Sequence, residues 1–343
     1  MDSIPSSGNT TVAPSGLQLG FVWQSDSHNL YPIMGVSGAA HYGSGVLGSS
    51  STVVAAAASG SATGSWALLL NKDGSLQELG LPGSTSATLA AGVGLDSNIV
   101  FSPGGSAAAV VSGTTHAVLI VTGLPSKAAV ATVQLPANAP VAGFAVSDAG
   151  TVLAGVKPAG SPGVQLGVIS ELRAYAAIGT VQGWGGATFV PGTAASPASE
   201  AAVVADSVAA QVAYVTNIGS GTAAMNGIGT AGLLQTAVGV AVSPDGQWAF
   251  VADSGKPQVV QVSLAQAGTT APISIACACK PTQLTPLTSN GIYAMGSGMA
   301  GQPAWLLDTK AASPRTFFVP AIAAATGSQT TAASTTQASG GGR

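Results

Sequence analysis

One motif recurs along this chain at near-constant spacing, and the recurrence limits the folds that the chain can adopt. Residues 240–264 read VAVSPDGQWAFVADSGKPQVVQVSL, which is an apolar run, a Ser-Pro-Asp-Gly turn, a second apolar run, a polar turn and a third run. Its anchor serine has counterparts at intervals of 45, 49 and 47 residues, namely Ser102, Ser147, Ser196 and Ser243. Periods of about 40 to 50 residues are typical of propeller blades or helical arrays. Because helix periodicity is absent, the spacing favours a propeller.

A second pattern indicates the number of repeats. A strongly apolar or β-branched run, suited to the next strand outwards, begins at Trp66, Ala117, Gln165, Gln211, Gln258 and Pro303. A seventh run, QLGFVW, begins at Gln18, and fainter anchors lie around Ser51 and Ser289. The sequence therefore predicts an all-β protein, a β-propeller of four-stranded antiparallel blades. Seven blades are favoured if strands within 17–34 pair with strands from the carboxyl-terminal end, and six if they pack elsewhere.

Residues 240–264 resemble the YVTN-type β-propeller repeat of bacterial and archaeal surface proteins. The strand AFVADSG at 249–255 matches the repeat, and AYVTNIGSG at 213–221 is similar to its namesake segment. The resemblance covers roughly 185–265. It implies a propeller but little about chemistry, because this repeat occurs in lactonase-like enzymes, binding proteins and surface-layer components.

The composition agrees with many short strands joined by turns. Of the 343 residues, 46% are hydrophobic and only 6% are charged, with 47 Gly and 20 Pro, whereas soluble domains usually carry about 25% charged residues. We predict a flexible segment over 1–16, a single propeller domain with a period of about 47 residues over 17–321, and a low-complexity, disordered tail over 322–343.

The small number of charged residues also limits the classes of partner that the protein is expected to bind. The net charge is −3, from nine basic and twelve acidic residues, so the protein lacks the positive electrostatic potential that binding to nucleic acid requires. The longest apolar stretches are interrupted by Gly and polar residues, so no membrane span is predicted. No signal peptide is visible in this numbering, yet the composition and the repeat type favour an exported, extracytoplasmic or cell-surface bacterial protein. Low charge leaves self-association open.

Two aspartates are the best candidates for a metal site. Asp206 and Asp253 end the equivalent runs VVAD and FVAD, so we expect them on the same rim of the disc. The resemblance to lactonase-like propellers implies a divalent cation at the channel mouth, held by these carboxylates and a side chain such as that of Asn217. An aspartate that caps a turn is nevertheless the more frequent arrangement at a strand end. We therefore expect the protein to bind no cofactor, with a divalent cation as the alternative.

The cysteines, histidines and tryptophans are weaker candidates for a functional site. Cys277 and Cys279 lack a second Cys or His cluster that would complete a zinc site. We expect two thiols there, with a disulfide as the alternative in an exported protein. The three histidines, His28, His41 and His116, lie in no recognised motif, and we expect the three tryptophans of apolar strands to pack between blades: Trp66, Trp248 and Trp305.

The predicted function is therefore a non-enzymatic, exported scaffold that binds an unidentified protein or glycan partner. The alternative is a lactonase-like hydrolase with a divalent metal at the channel mouth. Catalysis is not favoured, because no serine lies in a nucleophile elbow and no dinucleotide-binding spacing is present.

Overall fold

The structure is a computed structural model, and it describes residues 17–322 with short gaps. The gaps are 49–50, 62–63, 84–85, 137–138, 171–172, 193–198, 221, 231, 266–269, 289–290, 300 and 311–312. The described strands run from Gln18 to Val319. The segment predicted as flexible, 1–16, the predicted tail from 323 onwards and the anchor Ser196 lie outside the described residues.

Seven antiparallel sheets follow one another along the chain, and we number them blade 1 to blade 7. Blade 1 contains β1 (Gln18–Gln24), β2 (Asn29–Val36) and β3 (Ala39–Tyr42). Blade 2 contains β4 (Val53–Ser61), β5 (Gly64–Asn71), β6 (Leu76–Leu81) and β7 (Ser86–Ala90). Blade 3 contains β8 (Asn98–Phe101), β9 (Ala107–Ser112), β10 (Ala117–Thr122) and β11 (Ala129–Gln134).

The other four blades have the same order of strands. Blade 4 contains β12 (Val141–Val146), β13 (Val152–Val156), β14 (Val164–Ser170) and β15 (Arg173–Val181). Blade 5 contains β16 (Trp184–Phe189), β17 (Ala202–Asp206), β18 (Gln211–Thr216) and β19 (Ala224–Ile228). Blade 6 contains β20 (Ala237–Val242), β21 (Trp248–Asp253), β22 (Gln258–Ser263) and β23 (Ile273–Ala276). Blade 7 contains β24 (Thr285–Pro286), β25 (Ile292–Ala294), β26 (Ala304–Asp308) and β27 (Arg315–Val319).

The hydrophobic core is divided among the seams between blades. Seven clusters of buried apolar side chains fill the seven seams, including one that joins blade 7 to blade 1. The second strands are buried on both faces, and β9 (AAAVVS) and β17 (AVVAD) are therefore almost continuously apolar rather than alternating. The seven-bladed β-propeller predicted from the sequence is confirmed.

Two kinds of hairpin recur in the blades. The first joins the innermost strand to the second strand through the anchor serine; in blade 6 the Ser243 N–H binds the Trp248 carbonyl at 2.8 Å. Gly246 in that turn has a φ of 71°, which glycine adopts without a steric penalty. The second kind joins the second strand to the third through a four-residue turn, and its last residue has positive φ at His116 and Ala210.

Blade 1 lacks an innermost strand within the part of the chain that the structure describes. The turn from β1 to β2 is of the second kind, with His28 at a φ of 48°. The direction of β1 agrees, because Gly20 lies against Leu287 at the anchor rim and Gln24 forms a bridge with Gly298 at the opposite rim. β1 therefore has the direction and the turn of a second strand.

These features correct two details of the sequence analysis. The run at Gln18 forms a second strand, as does the run at Trp66, whereas the other five form third strands. No strand from the carboxyl-terminal end joins β1, β2 and β3 within the described residues; β24, β25, β26 and β27 form a complete blade of their own.

Helix contributes little to the described residues, which include a 3₁₀ turn at Ile218–Ser220. None of the helical segments that the structure describes has the length and apolar character needed to cross a bilayer.

Candidate functional site

The structure places Asp206 and Asp253 on the same rim, as predicted, but both carboxylates are already occupied. Each ends the second strand of its blade and is buried. Asp253 accepts hydrogen bonds from the backbone N–H groups of Gln235 and Thr236, which precede the innermost strand, at 2.8 and 2.9 Å. It also accepts bonds from backbone N–H groups in the turn that follows it, at 2.9 and 3.2 Å.

Asp206 repeats this arrangement one blade earlier. Its carboxylate accepts bonds from the backbone N–H groups of Gln182 and Gly183, at 2.6 and 3.0 Å, and from those of Val208 and Ala209, at 3.0 and 2.9 Å. Both aspartates therefore tie the entry of the innermost strand to the hairpin beyond the second strand, which is the hydrogen-bonding pattern of a turn cap.

The electrostatics of Asp253 agree with a capping role. Burial raises the pKa of this carboxyl, but the four backbone N–H donors together outweigh burial and leave the pKa below its ordinary value. Hydrogen bonds to the charged form favour that form.

Asn217, the third predicted ligand, lies on the other rim. It follows β18, which is antiparallel to β17, and the register pairs Asp206 with Gln211 at the start of β18. Asn217 lies six residues beyond Gln211, so the two side chains are separated along the strands by about 20 Å. The described residues contain no group of three or more His, Cys, Asp or Glu side chains that could hold a metal ion.

The other residues considered as site candidates either lie far apart or have a structural role. His28 and His116 occupy equivalent turns in blades 1 and 3, whereas His41 lies in the outermost strand of blade 1. Cys277 and Cys279 form a disulfide just after β23, in place of the two thiols that the sequence analysis favoured. As predicted, the three tryptophans of apolar strands pack in clusters between blades: Trp66, Trp248 and Trp305.

A concave site lies at the mouth of the central channel, on the rim where most innermost strands begin, and we call it the wide mouth. It encloses about 570 Å³ and is lined by residues from all seven blades. None of the lining residues is charged. The polar groups include those of Ser97, Asn98 and Gln283, and the aromatic groups include those of Trp23 and Trp184.

The indole of Trp184 packs directly against the backbone of Gly143 and Gly155, where a residue with a side chain would not fit. A Cβ atom on Gly143 would overlap the indole nitrogen of Trp184, and one on Gly155 would overlap its six-membered ring. The indole is half-buried at the wall of the wide mouth. Neither Trp184 nor Trp23 was among the predicted site residues. The signal that the sequence carries for Trp184 is a tryptophan at the start of an innermost strand, with Gly143 and Gly155 in the preceding blade.

The channel narrows towards the anchor rim. The space there is about 70 Å³ and is lined largely by strand ends and prolines. The prolines follow the ends of innermost strands in blades 3, 5 and 6, and one lies in β24 of blade 7: Pro103, Pro191, Pro244 and Pro286. A ligand of appreciable size therefore has access through the wide mouth.

A buried acid that the sequence analysis did not single out joins blades 4 and 5. Glu200 is fully buried, and the hydroxyl of the anchor Ser147 donates a hydrogen bond to its Oε1 at 2.5 Å. In blade 6 the corresponding Ser243 hydroxyl donates instead to Asp245 of its own turn. The hydroxyl of Ser147 therefore has its acceptor, Glu200, in the neighbouring blade, whereas the hydroxyl of Ser243 has its acceptor in its own turn.

Removal of the Ser147 hydroxyl is expected to lower the free energy of unfolding by about 1 to 3 kcal/mol, because Ser147→Ala leaves a buried oxygen of Glu200 without its donor. Chemical denaturation of the wild type and the variant measures the change. Ser220→Ala, in an exposed turn, is the control and should change stability by less than about 0.5 kcal/mol. Equal stability of Ser147→Ala and the wild type would show that this bond does not join the blades.

Comparisons with known proteins agree with the fold. No model of a protein family matches this sequence, and no curated protein matches it. A protein of unknown function from Desulfotomaculum acetoxidans is similar in structure, with a TM-score of 0.55 and 14% identity over 88% of this chain and 99% of that one. A Lactobacillus plantarum protein gives a TM-score of 0.56 and 14% identity over 89% and 97%.

A protein with a named activity has the same fold. Virginiamycin B lyase from Staphylococcus aureus aligns with a TM-score of 0.52 and 12% identity, over 76% of this chain and 82% of the lyase. At such low identity these similarities show the architecture alone. The chain is a seven-bladed β-propeller, and its function has to be argued from its own residues.

Proposed function

We propose that this protein is a non-enzymatic binding scaffold that recognises a protein or glycan partner through the wide mouth. The observation that carries the proposal is the 570 Å³ mouth itself, which every blade lines and no charged side chain enters. Ligand sites are typically concave, of about 300 to 1,000 Å³, and mostly apolar with a few polar groups. The wide mouth has these properties.

The chemistry of the wide mouth favours an uncharged ligand surface. A charged group placed there would lose its hydration and meet no opposite charge, which is costly. The rings of Trp23 and Trp184 offer apolar contact area, whereas Asn98 and Gln283 offer amide donors and acceptors. A neutral sugar or an uncharged polypeptide segment fits this combination.

The hydrolase alternative has less support. The carboxylates of Asp206 and Asp253 each accept four backbone hydrogen bonds, and Asn217 lies on the opposite rim. The similarity to a lyase concerns architecture at 12% identity. Addition of calcium or zinc is therefore expected to leave the melting temperature unchanged; a rise of several degrees would favour the hydrolase.

Export to an extracytoplasmic or cell-surface location is part of this proposal. The support is compositional: nine basic and twelve acidic residues in 343, and a disulfide at Cys277 and Cys279. Disulfides persist in oxidising compartments. Self-association is also proposed, because a surface with so few charges has little electrostatic resistance to it.

A charge placed in the wide mouth tests the binding function. Asn98 is exposed and lines the mouth, so Asn98→Arg should weaken binding at least tenfold. The control, Gln247→Arg, places the same charge on an exposed turn of the anchor rim. Both variants and the wild type are compared on a neutral-glycan array and against surface-protein extracts.

Equal binding by Asn98→Arg and the wild type would show that the wide mouth is not the binding site. Failure of the wild type to bind any glycan or surface protein would contradict the scaffold function itself.

A further inference from the structure

A concave site on the anchor rim lies between blades 6 and 7, on the face of the disc opposite the wide mouth. Its volume is about 450 Å³. Blade 6 contributes its first hairpin with parts of β21 and β22, and blade 7 contributes the turn between β26 and β27. We call this site the rim groove and define it by four of its lining residues, Asp245, Trp248, Gln261 and Lys310.

Two opposite charges from different blades lie at the rim groove. Asp245 belongs to the first hairpin of blade 6, and Lys310 follows the third strand of blade 7. Gly291 shows how closely the two blades approach, because a Cβ atom there would lie 3.3 Å from Cγ of Lys310 and 3.3 Å from Cγ of Pro244. Among the described residues neither charged group is in an ion pair. The charges of both side chains therefore face a ligand in the groove rather than an ionic partner.

The groups of the rim groove retain hydrogen-bonding capacity. Oδ1 of Asp245 accepts bonds from the Ser243 hydroxyl at 2.5 Å and the Gln247 N–H at 3.1 Å, whereas Oδ2 accepts none from the described residues. Gln261 is only 6% exposed, yet its side-chain amide has no hydrogen-bond partner within the described part of the chain. A buried amide without a partner is costly, so the groove holds a polar group that a ligand can satisfy.

We propose that the rim groove binds a neutral saccharide. A sugar hydroxyl both donates and accepts hydrogen bonds, so hydroxyl groups can pair with the Asp245 carboxylate, the Lys310 ammonium and the Gln261 amide. The half-buried indole of Trp248 offers an apolar face to the C–H groups of a sugar ring. The rim groove is separate from the wide mouth, so this inference goes beyond the proposed function.

Other classes of small ligand match the rim groove less well. An anion would be attracted by Lys310 and repelled by Asp245, and the reverse holds for a cation. An apolar ligand would exclude water from the Gln261 amide without supplying a hydrogen bond. A neutral molecule with several hydroxyl groups has neither disadvantage.

Ligand-observed NMR and calorimetric titration of the full chain test the proposal. The probes are glucose, galactose, N-acetylglucosamine, maltose and cellobiose, and the free amino acid alanine is the zwitterionic comparison. At least one of the sugars is expected to bind with a Kd of about 1 mM or lower. Lys310→Ala and Gln261→Leu should each weaken that binding by about tenfold or more, because each removes a hydrogen-bonding group of the groove.

The matched control is Lys127→Ala. Lys127 is exposed and lies in the turn between the third and fourth strands of blade 3, as Lys310 does in blade 7, so its removal should leave sugar binding unchanged. Lys310→Ala tests the groove even if Gln261→Leu does not fold, because Lys310 is exposed. The proposal would be overturned if none of the sugars bound, if the amino acid alone bound, or if Lys310→Ala bound a sugar as tightly as Lys127→Ala does.

The failure of this inference is distinguishable from failure of the proposed function. Asn98→Arg, in the wide mouth, should leave sugar binding at the rim groove unchanged, with Lys127→Ala again as the control because Gln247 adjoins the groove. If Asn98→Arg abolishes sugar binding and Lys310→Ala does not, the sugars bind in the wide mouth and the rim-groove proposal is wrong. If Lys310→Ala weakens sugar binding and Asn98→Arg changes the binding of no ligand, the rim groove is confirmed and the wide-mouth proposal fails.

Discussion

Replacement of Gly143 by valine is expected to lower the free energy of unfolding by about 3 kcal/mol. The Cβ of the new side chain would lie 2.0 Å from the Trp184 indole nitrogen, and the indole also packs against Gly155 on the adjacent strand. The ring therefore has to leave its site at the wall of the wide mouth. Urea denaturation measures the loss, and the Trp fluorescence spectrum reports the exposure of the indole.

The matched control is Gly227→Val in the outermost strand of blade 5. No atom lies within 4 Å of the position that its Cβ would take, so the variant should be neutral or slightly stabilised, since glycine inside a strand is unfavourable. Adding Trp184→Ala to Gly143→Val should recover part of the lost stability by making space. Equal stability of Gly143→Val and Gly227→Val would contradict the packing described for Trp184.

The sequence predicted the propeller because the repeat is a local pattern. An apolar run, the turn at Asp245 and Gly246, and a second apolar run describe one hairpin, and each element is visible without knowledge of distant contacts. The anchors at Ser102, Ser147 and Ser243 all close the first hairpin of a blade. In blade 5 the equivalent backbone bond is made by Val190, which binds the carbonyl of Ala201, so the hairpin there is longer and its anchor position precedes Ser196 by six residues.

The assignment of strands within blade 1 could not be made from pattern alone. A run such as QLGFVW fits a second or a third strand equally well, because both are apolar and both lie between neighbouring blades. The structure decides through contacts far apart in sequence, between Gly20 and Leu287 and between Gln24 and Gly298. Ring closure is a property of the whole chain, whereas the repeat is a property of one blade.

The candidate site was predictable only in part. The equivalence of Asp206 and Asp253 followed from the repeat and is confirmed. The hydrogen-bond donors to their carboxylate oxygens could not be predicted from the sequence, because backbone N–H groups carry no sequence signature. The wide mouth was missed for a related reason: Trp23, Asn98 and Trp184 are far apart in the chain and meet only when the ring closes.

Replacement of Asp253 by asparagine is expected to lower the free energy of unfolding by about 3 kcal/mol near pH 7, and the loss should depend on pH. Four backbone N–H groups from two segments converge on this buried carboxylate. Asparagine keeps the shape but presents an NH₂ group to some of these donors, so buried N–H groups lose their acceptor. The matched control is Asp26→Asn in an exposed turn, which should cost less than about 0.5 kcal/mol.

The sign of the pH dependence follows from the lowered pKa of Asp253. A carboxyl whose pKa is lower in the folded state stabilises the fold above its unfolded pKa of about 3.9, and this stabilisation is lost as the pH falls through the folded pKa. The difference in unfolding free energy between the wild type and Asp253→Asn should therefore be largest from about pH 5 to 7 and shrink below about pH 4. Urea denaturation at several pH values measures it.

A difference that stays constant from pH 7 to pH 3 would contradict the account of Asp253 as an ionised cap. A small difference at pH 7 would show that the entry to blade 6 does not depend on this carboxylate. The Asp253 oxygens would then be less committed to the backbone than their hydrogen bonds indicate, and the metal-site alternative would regain support. The same substitution therefore tests both the role of a strand-end aspartate in the fold and the argument for a binding protein over a metal-dependent hydrolase.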